Sequence, residues 1–136
     1  MSGMNWNHNK PLSGLRSLLA TDRQLTRELL ITVLKAAGAD QVMTGSAPEM
    51  LAAAPGFAPD VIFAEFDMVP INGNIFLHHL RFRQHCTMPS IILFHETDQQ
   101  AALSGAKESG VTGALLIPFK PDSVIRMTRK VLGQKV

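Results

Sequence analysis

Val61-Ile62-Phe63-Ala64-Glu65-Phe66-Asp67-Met68-Val69-Pro70-Ile71-Asn72-Gly73 is the stretch whose reading decides the fold. A strand with one face in water alternates apolar and polar side chains. The unbroken apolar run 61–64 instead describes a strand covered on both faces, as in a parallel sheet flanked by helices. The run ends at the polar Glu65-Phe66-Asp67, and Pro70, Asn72 and Gly73 supply a loop. Ile75, Phe76, His79 and Leu80 follow at helical spacing. The unit is strand, loop, helix, with two carboxylates where the strand ends.

The same unit recurs on either side. Upstream, residues 15–20 form a short apolar run that stops at Thr21-Asp22. Leu25, Leu29, Leu30, Val33 and Leu34 then make a helical stripe that ends at Gly38. Residues 41–43 are a weak strand, and 47–54 a short helix with Pro48 in its first turn and Gly56 beyond its end. Downstream, 89–94 is a fourth strand, with Thr97 or Asp98 available to cap a helix that fades near Gly110. Residues 113–117 are a fifth strand, 118–121 a turn, and 122–132 a last helix with Val124, Met127 and Val131 on one side. Repeated β–α units with right-handed crossovers give an α/β fold, a doubly wound five-stranded parallel sheet with helices on both faces. The flavodoxin-like strand order 2-1-3-4-5 is expected, with its crevice beyond the carboxyl ends of strands one and three. That places Asp22 beside Glu65. One domain is expected over 14–133, preceded by a flexible polar arm, 1–13, whose one apolar anchor is Trp6.

The totals narrow the function. The chain has 136 residues, 46% of them apolar and 18% charged, enough for a core without disulfides or metals. A net charge of +2 gives no argument for a nucleic-acid or membrane partner. Cys86 is the only cysteine, which fits a reducing, cytoplasmic setting. No apolar run approaches the ~18 residues of a membrane span. His78 and His79 are adjacent on a helix and point about 100° apart, so they do not converge with His85 and Cys86 on a metal. Lys107, Arg126, Arg129 and Lys130 read as a solvated face or, alternatively, as a docking surface on the fourth and fifth helices.

Residues 59–62 with 65–73, and 110–113 leading into Ile117-Pro118-Phe119, resemble the receiver domain of bacterial response regulators, the chemotaxis CheY-like family. The resemblance runs from about residue 15 to 132. It implies a phosphoacceptor aspartate at the end of strand three and acidic residues at the end of strand one that hold Mg²⁺. It also implies a hydroxyl on strand four, a lysine and a switching aromatic on strand five, and a cis bond before Pro118. This sequence departs at nearly every position. Glu65 stands for the acceptor, Thr21 for one of the two acids beside Asp22, Phe94 for the hydroxyl, Ile117 for the lysine and Ala114 for the aromatic.

These departures define a degenerate, pseudo-receiver site made of Thr21, Asp22, Glu65, Asp67, Phe94 and Ile117. A carboxylate one methylene longer sits off the line of attack, and an error of about 1 Å costs roughly a hundredfold in rate. Apolar Phe94 and Ile117 leave phosphoryl charge unmatched, and Phe94 is expected to fill space that a phosphoryl oxygen would need. Glu65 reads either as an imitation of a phosphorylated aspartate or as a plain polar residue at a strand end. Asp22, Glu65 and the Asp67 carbonyl are the only candidates for a residual Mg²⁺ site, and Asp22 is equally a helix cap. The expected function is a stand-alone, non-enzymatic receiver of two-component signal transduction that binds proteins independently of phosphorylation. Its partner would be a signalling protein, a histidine kinase or an output protein, with a homodimer as a further option. The alternatives are a residual Mg²⁺-dependent phosphoacceptor at Glu65 or Asp67 and a small-ligand sensor.

Overall fold

The computed structural model describes residues 10–133. Strands β1 (Arg16–Ala20), β2 (Gln41–Gly45), β3 (Val61–Glu65), β4 (Ser90–His95) and β5 (Gly113–Ile117) form one parallel sheet in the order β2-β1-β3-β4-β5. Helices α1 (Gln24–Ala36), α2 (Ala47–Phe57), α3 (Gly73–Arg83), α4 (Gln99–Ala106) and α5 (Pro121–Val131) alternate with them. The expected fold class and strand order are both observed. Both edge strands, β2 and β5, carry partly exposed residues, while the central β3 is buried throughout, as its apolar run required.

Strand alternation separates two cores. Leu18, Ala20, Ile62, Ala64 and Ile92 face α2 and α3 and pack with Met50, Phe57, Phe76, Leu77 and Leu80. Leu19, Val61, Phe63, Ile91, Leu93 and Leu115 face the other way and pack with Leu30 and Leu34 of α1 and Val124 of α5. Among the described residues no helix is long and apolar enough to cross a membrane.

Local chemistry sets the helix boundaries. Ser46 caps α2 by accepting the Glu49 N–H, and the Glu49 carboxylate accepts the Ser46 N–H in return. Hydrogen bonding from the Ser46 backbone N–H, and then from the Ser46 side chain, holds the Glu49 carboxyl below its ordinary pKa. Asn72 caps α3 through the Ile75 N–H at 2.9 Å. Asp98 stands at the N-terminus of α4 without a side-chain capping bond, and the expected Asp22 cap on α1 is not made either, since Arg23 occupies that position. α2 runs through Pro55 and Gly56 to Phe57, longer than the sequence implied, because Phe57 buries against the sheet and Ala58 closes the helix in a left-handed conformation. The bonds before Pro70 and Pro118 are both cis.

Two expectations need correction. Residues 1–9, with Trp6, lie outside the described residues, but the end of the supposed arm belongs to the domain. Leu12 is fully buried in the α1–α5 core and donates its N–H to the Ala37 carbonyl at 2.8 Å. The α1 stripe also sits differently: Thr26, Leu30 and Leu34 face inward, whereas Leu25 is 68% and Leu29 42% exposed. Leu12→Ala is therefore expected to lower the unfolding free energy by about 2–4 kcal/mol. Leu25→Ala should change it by less than about 0.5 kcal/mol. Urea midpoints measure both, and equal effects would contradict this placement of Leu12.

Candidate functional site

The parallel register brings the carboxyl ends of the central strands level. Ala20 pairs with Ala64, and Glu65 with Leu93, so the residues just beyond them gather at one edge of the sheet. Glu65 is the last residue of β3, in step with Phe63, and its side chain is completely buried. A carboxylate in that position is costly unless its oxygens are matched by donors.

Three side chains match them. Thr21, directly after β1 and itself fully buried, donates its hydroxyl to Glu65 Oε1 at 2.7 Å. The Thr21 oxygen also accepts the Arg23 N–H at 3.0 Å, so the turn into α1 and the acceptor position share one hydroxyl. On the other oxygen, Glu65 Oε2 lies 3.0 Å from His95 Nε2 and 3.4 Å from Arg23 Nε. Arg23 uses the rest of its guanidinium on Asp67 Oδ2, through Nη2, and on His95 Nε2, 2.7 Å from Nη1. His95 Nε2 can serve only one of these neighbours at a time. Carrying its hydrogen it donates to Glu65; without it, it accepts from Arg23.

The surrounding backbone is held tightly. Gly73 opens α3 against β3, and a Cβ there would lie 2.6 Å from the Glu65 carbonyl oxygen and 2.5 Å from Ile92. Only a residue without a side chain lets the helix approach so closely. Asp22 points at the β3–α3 loop, where its carboxylate accepts the Val69 N–H at 2.9 Å. Asp22, Glu65 and Asp67 are thus committed to different partners. Among the described residues no group of three or more His, Cys, Asp or Glu side chains is placed to hold a metal ion.

Outside the cluster lies an open cleft of about 380 Å³ lined by Arg23, Asp67, His95, Glu96, Thr97, Asp98 and Ile117. Ile117, the last residue of β5, lines this cleft. Phe94 is buried but is not part of that lining. By alternation it shares a face of β4 with Ile92, and the β4 side chain that reaches Glu65 is the next one, His95. Ala114 pairs with Ile92 and packs against the α2–α3 core. Arg23 and His95 are the two residues that the sequence reading missed. Cys86 is buried away from this site, and burial raises its thiol pKa, as expected of an unreactive cysteine.

No protein-family model matches the chain. Curated relatives do match it. The Regulator of RpoS of Escherichia coli is 31% identical over 111 residues, 82% of this chain and 32% of the relative. The DNA-binding response regulator MtrA of Mycobacterium tuberculosis is 27% identical over 114 residues, 84% of this chain and 49% of the relative. Among solved structures, the chemotaxis response regulator CheY4 of Vibrio cholerae superposes with a TM-score of 0.77 at 27% identity, over 88% of this chain and 99% of that one. A response regulator from Chloroflexus aurantiacus gives 0.81 at 24% identity, over 90% and 100%. The chain is a response-regulator receiver domain.

It spans about a third to a half of the length of those curated relatives. Within the receiver, the Glu65 carboxylate is in contact with Thr21, His95 and Arg23. Breaking the pair by Arg23→Met should destabilise the fold by about 1–3 kcal/mol, less than the ~3–5 kcal/mol of a fully buried pair, because Arg23 is 43% exposed. Adding Glu65→Gln should recover part of that loss. A double-mutant cycle in urea is expected to give about 1 kcal/mol of coupling, and additivity within about 0.4 kcal/mol would mean that the contact does not hold in solution.

Proposed function

We propose that this receiver of two-component signalling works without phosphorylation, as a protein-binding module whose acceptor pocket is occupied by its own side chains. The observation that carries the reading is the complete burial of Glu65, with one carboxylate oxygen on Thr21 and the other on His95 and Arg23. A phosphoryl donor needs an exposed carboxylate oxygen in line with it, and here both oxygens have protein neighbours in the way. Ile117 at the end of β5 offers the incoming dianion no positive charge, and Arg23, which could, is engaged by Glu65 and Asp67. The domain acts without a metal and catalyses no reaction.

Its partner is another signalling protein, a histidine kinase or an output protein, met through the face made by α4, β5 and α5. Leu103 of α4 is 42% and Leu116 of β5 44% exposed there, with Lys107, Arg126 and Lys130 exposed on the same elements. Isolated apolar side chains set among charges suit a modest interface that forms and separates.

Adding Mg²⁺ to millimolar concentration and then beryllofluoride to the purified chain, followed by amide NMR, tests the reading. Thr21, Glu65 and Ile117 should not shift, and incubation with acetyl phosphate should add no mass. Saturable metal-dependent shifts that spread to Ala114 and α5 would instead describe a working phosphoacceptor.

A further inference from the structure

We propose that the outward side of α3 is a second docking surface, and that it takes an acidic amphipathic helix of a partner protein. Ile75, His78 and Phe82, at i, i+3 and i+7, all stand exposed on one stripe of the helix, Ile75 at 52% and Phe82 at 53%. Phe82 is supported rather than loose: its ring lies 4.7 Å from the His78 ring, and the Arg81 guanidinium lies 5.8 Å from its centre. This is the anchor spacing by which two helices pack side by side.

The charge on α3 itself has one sign, while α4, which also packs on α3, is followed by one exposed residue of each sign, Lys107 and Glu108. No aspartate or glutamate occurs anywhere in residues 68–95, while Arg81, Arg83, His78, His79 and His85 fall on α3 or just after it. Arg83 and His85 are exposed. α2, packed beside α3, adds a single charged side chain, Glu49, which is held in its capping box. Arginines in the last turn also suit the dipole of α3, but that leaves two large apolar side chains in water unexplained. The one-signed charge of α3 selects the occupant. A second copy of this chain would set the same arginines against each other with no carboxylate between them, which is repulsive. A nucleic acid would gain few phosphate contacts from two arginines and nothing from Ile75. A helix with Leu or Phe at matching spacing and Glu on its flanks satisfies both the stripe and the rim.

The test uses the full isotope-labelled chain and two synthetic helical peptides with the same Leu/Phe pattern, one flanked by Glu and one by Lys. The Glu peptide should shift amides of residues 75–85 and bind at least about tenfold more tightly than the Lys peptide. Phe82→Ser or Arg83→Glu, both at exposed positions, should weaken it by about tenfold without moving the urea midpoint. Equal binding of the two peptides, or shifts confined to α5 and β5, would overturn the proposal. So would tighter binding of an oligothymidine, or concentration-dependent dimers abolished by Phe82→Ser. None of these outcomes depends on whether the acceptor pocket is closed, so this surface stands or falls separately from the phosphorylation-independent reading.

Discussion

A carboxylate at the end of the central strand has nowhere to go except inward, and the rest of the site is arranged around that constraint. Glu65 closes β3, the strand with neighbours on both sides and helices above and below, and its side chain has no contact with solvent. The energetic alternatives for such a group are to be matched by donors or to distort the fold around it. Here the donors come from the two strands that flank β3 in the sheet: Thr21 and Arg23 beyond β1, His95 at the end of β4. The sheet register fixes that combination, because only neighbouring strand ends come within reach.

The same arrangement redefines the acidic residues nearby. In the family that this chain belongs to, carboxylates at this edge are read as a metal cradle, which requires several oxygens free to point at one centre. Asp22 spends an oxygen on the Val69 N–H, which ties the β3–α3 loop to the start of α1. Asp67 steadies the far end of the Arg23 guanidinium. Their negative charge is used to hold loops and an arginine in place. With Gly73 pressed on the Glu65 carbonyl, the backbone on both sides of the acceptor position is fixed as well.

Much of this architecture could be read from the sequence, for identifiable reasons. Parallel strands flanked by helices tend to be continuous apolar runs, and 61–64, 89–94 and 113–117 were read on that ground, although β5 is an edge strand with exposed residues; β2 was read short because Thr44 and Gly45 carry little hydrophobic signal. The inward face of α1 was misjudged because apolar residues at 25, 29, 30, 33 and 34 span about half of the helix circumference. Periodicity alone cannot then choose which edge of the stripe is wet. Leu12 was lost to its polar neighbours. At the site, the motif positions Thr21, Glu65 and Ile117 were legible because their spacing is fixed by the fold. Arg23 and His95 lie one or two residues away from such positions, and nothing local marks them. The available signal was a deficit: a buried Glu65 with no lysine at 117 implies a cation from elsewhere, and Arg23 and Lys120, each three residues past a strand end at that edge, are the candidates.

That deficit also explains why an arginine suits this site better than the lysine it lacks. A lysine at the end of β5 would present a single charge across the cleft, which a phosphoryl group can recruit. Arg23 approaches from the α1 side, and its planar fork reaches Glu65 and Asp67 together, and His95 when Nε2 of that ring carries no hydrogen. Recruiting it for a phosphoryl oxygen means giving up several contacts for one. A ligand shifts an equilibrium only by its differential affinity for two states. A cation already engaged by Glu65 and Asp67 gives an incoming dianion little such difference, which supports the proposed phosphorylation-independent reading.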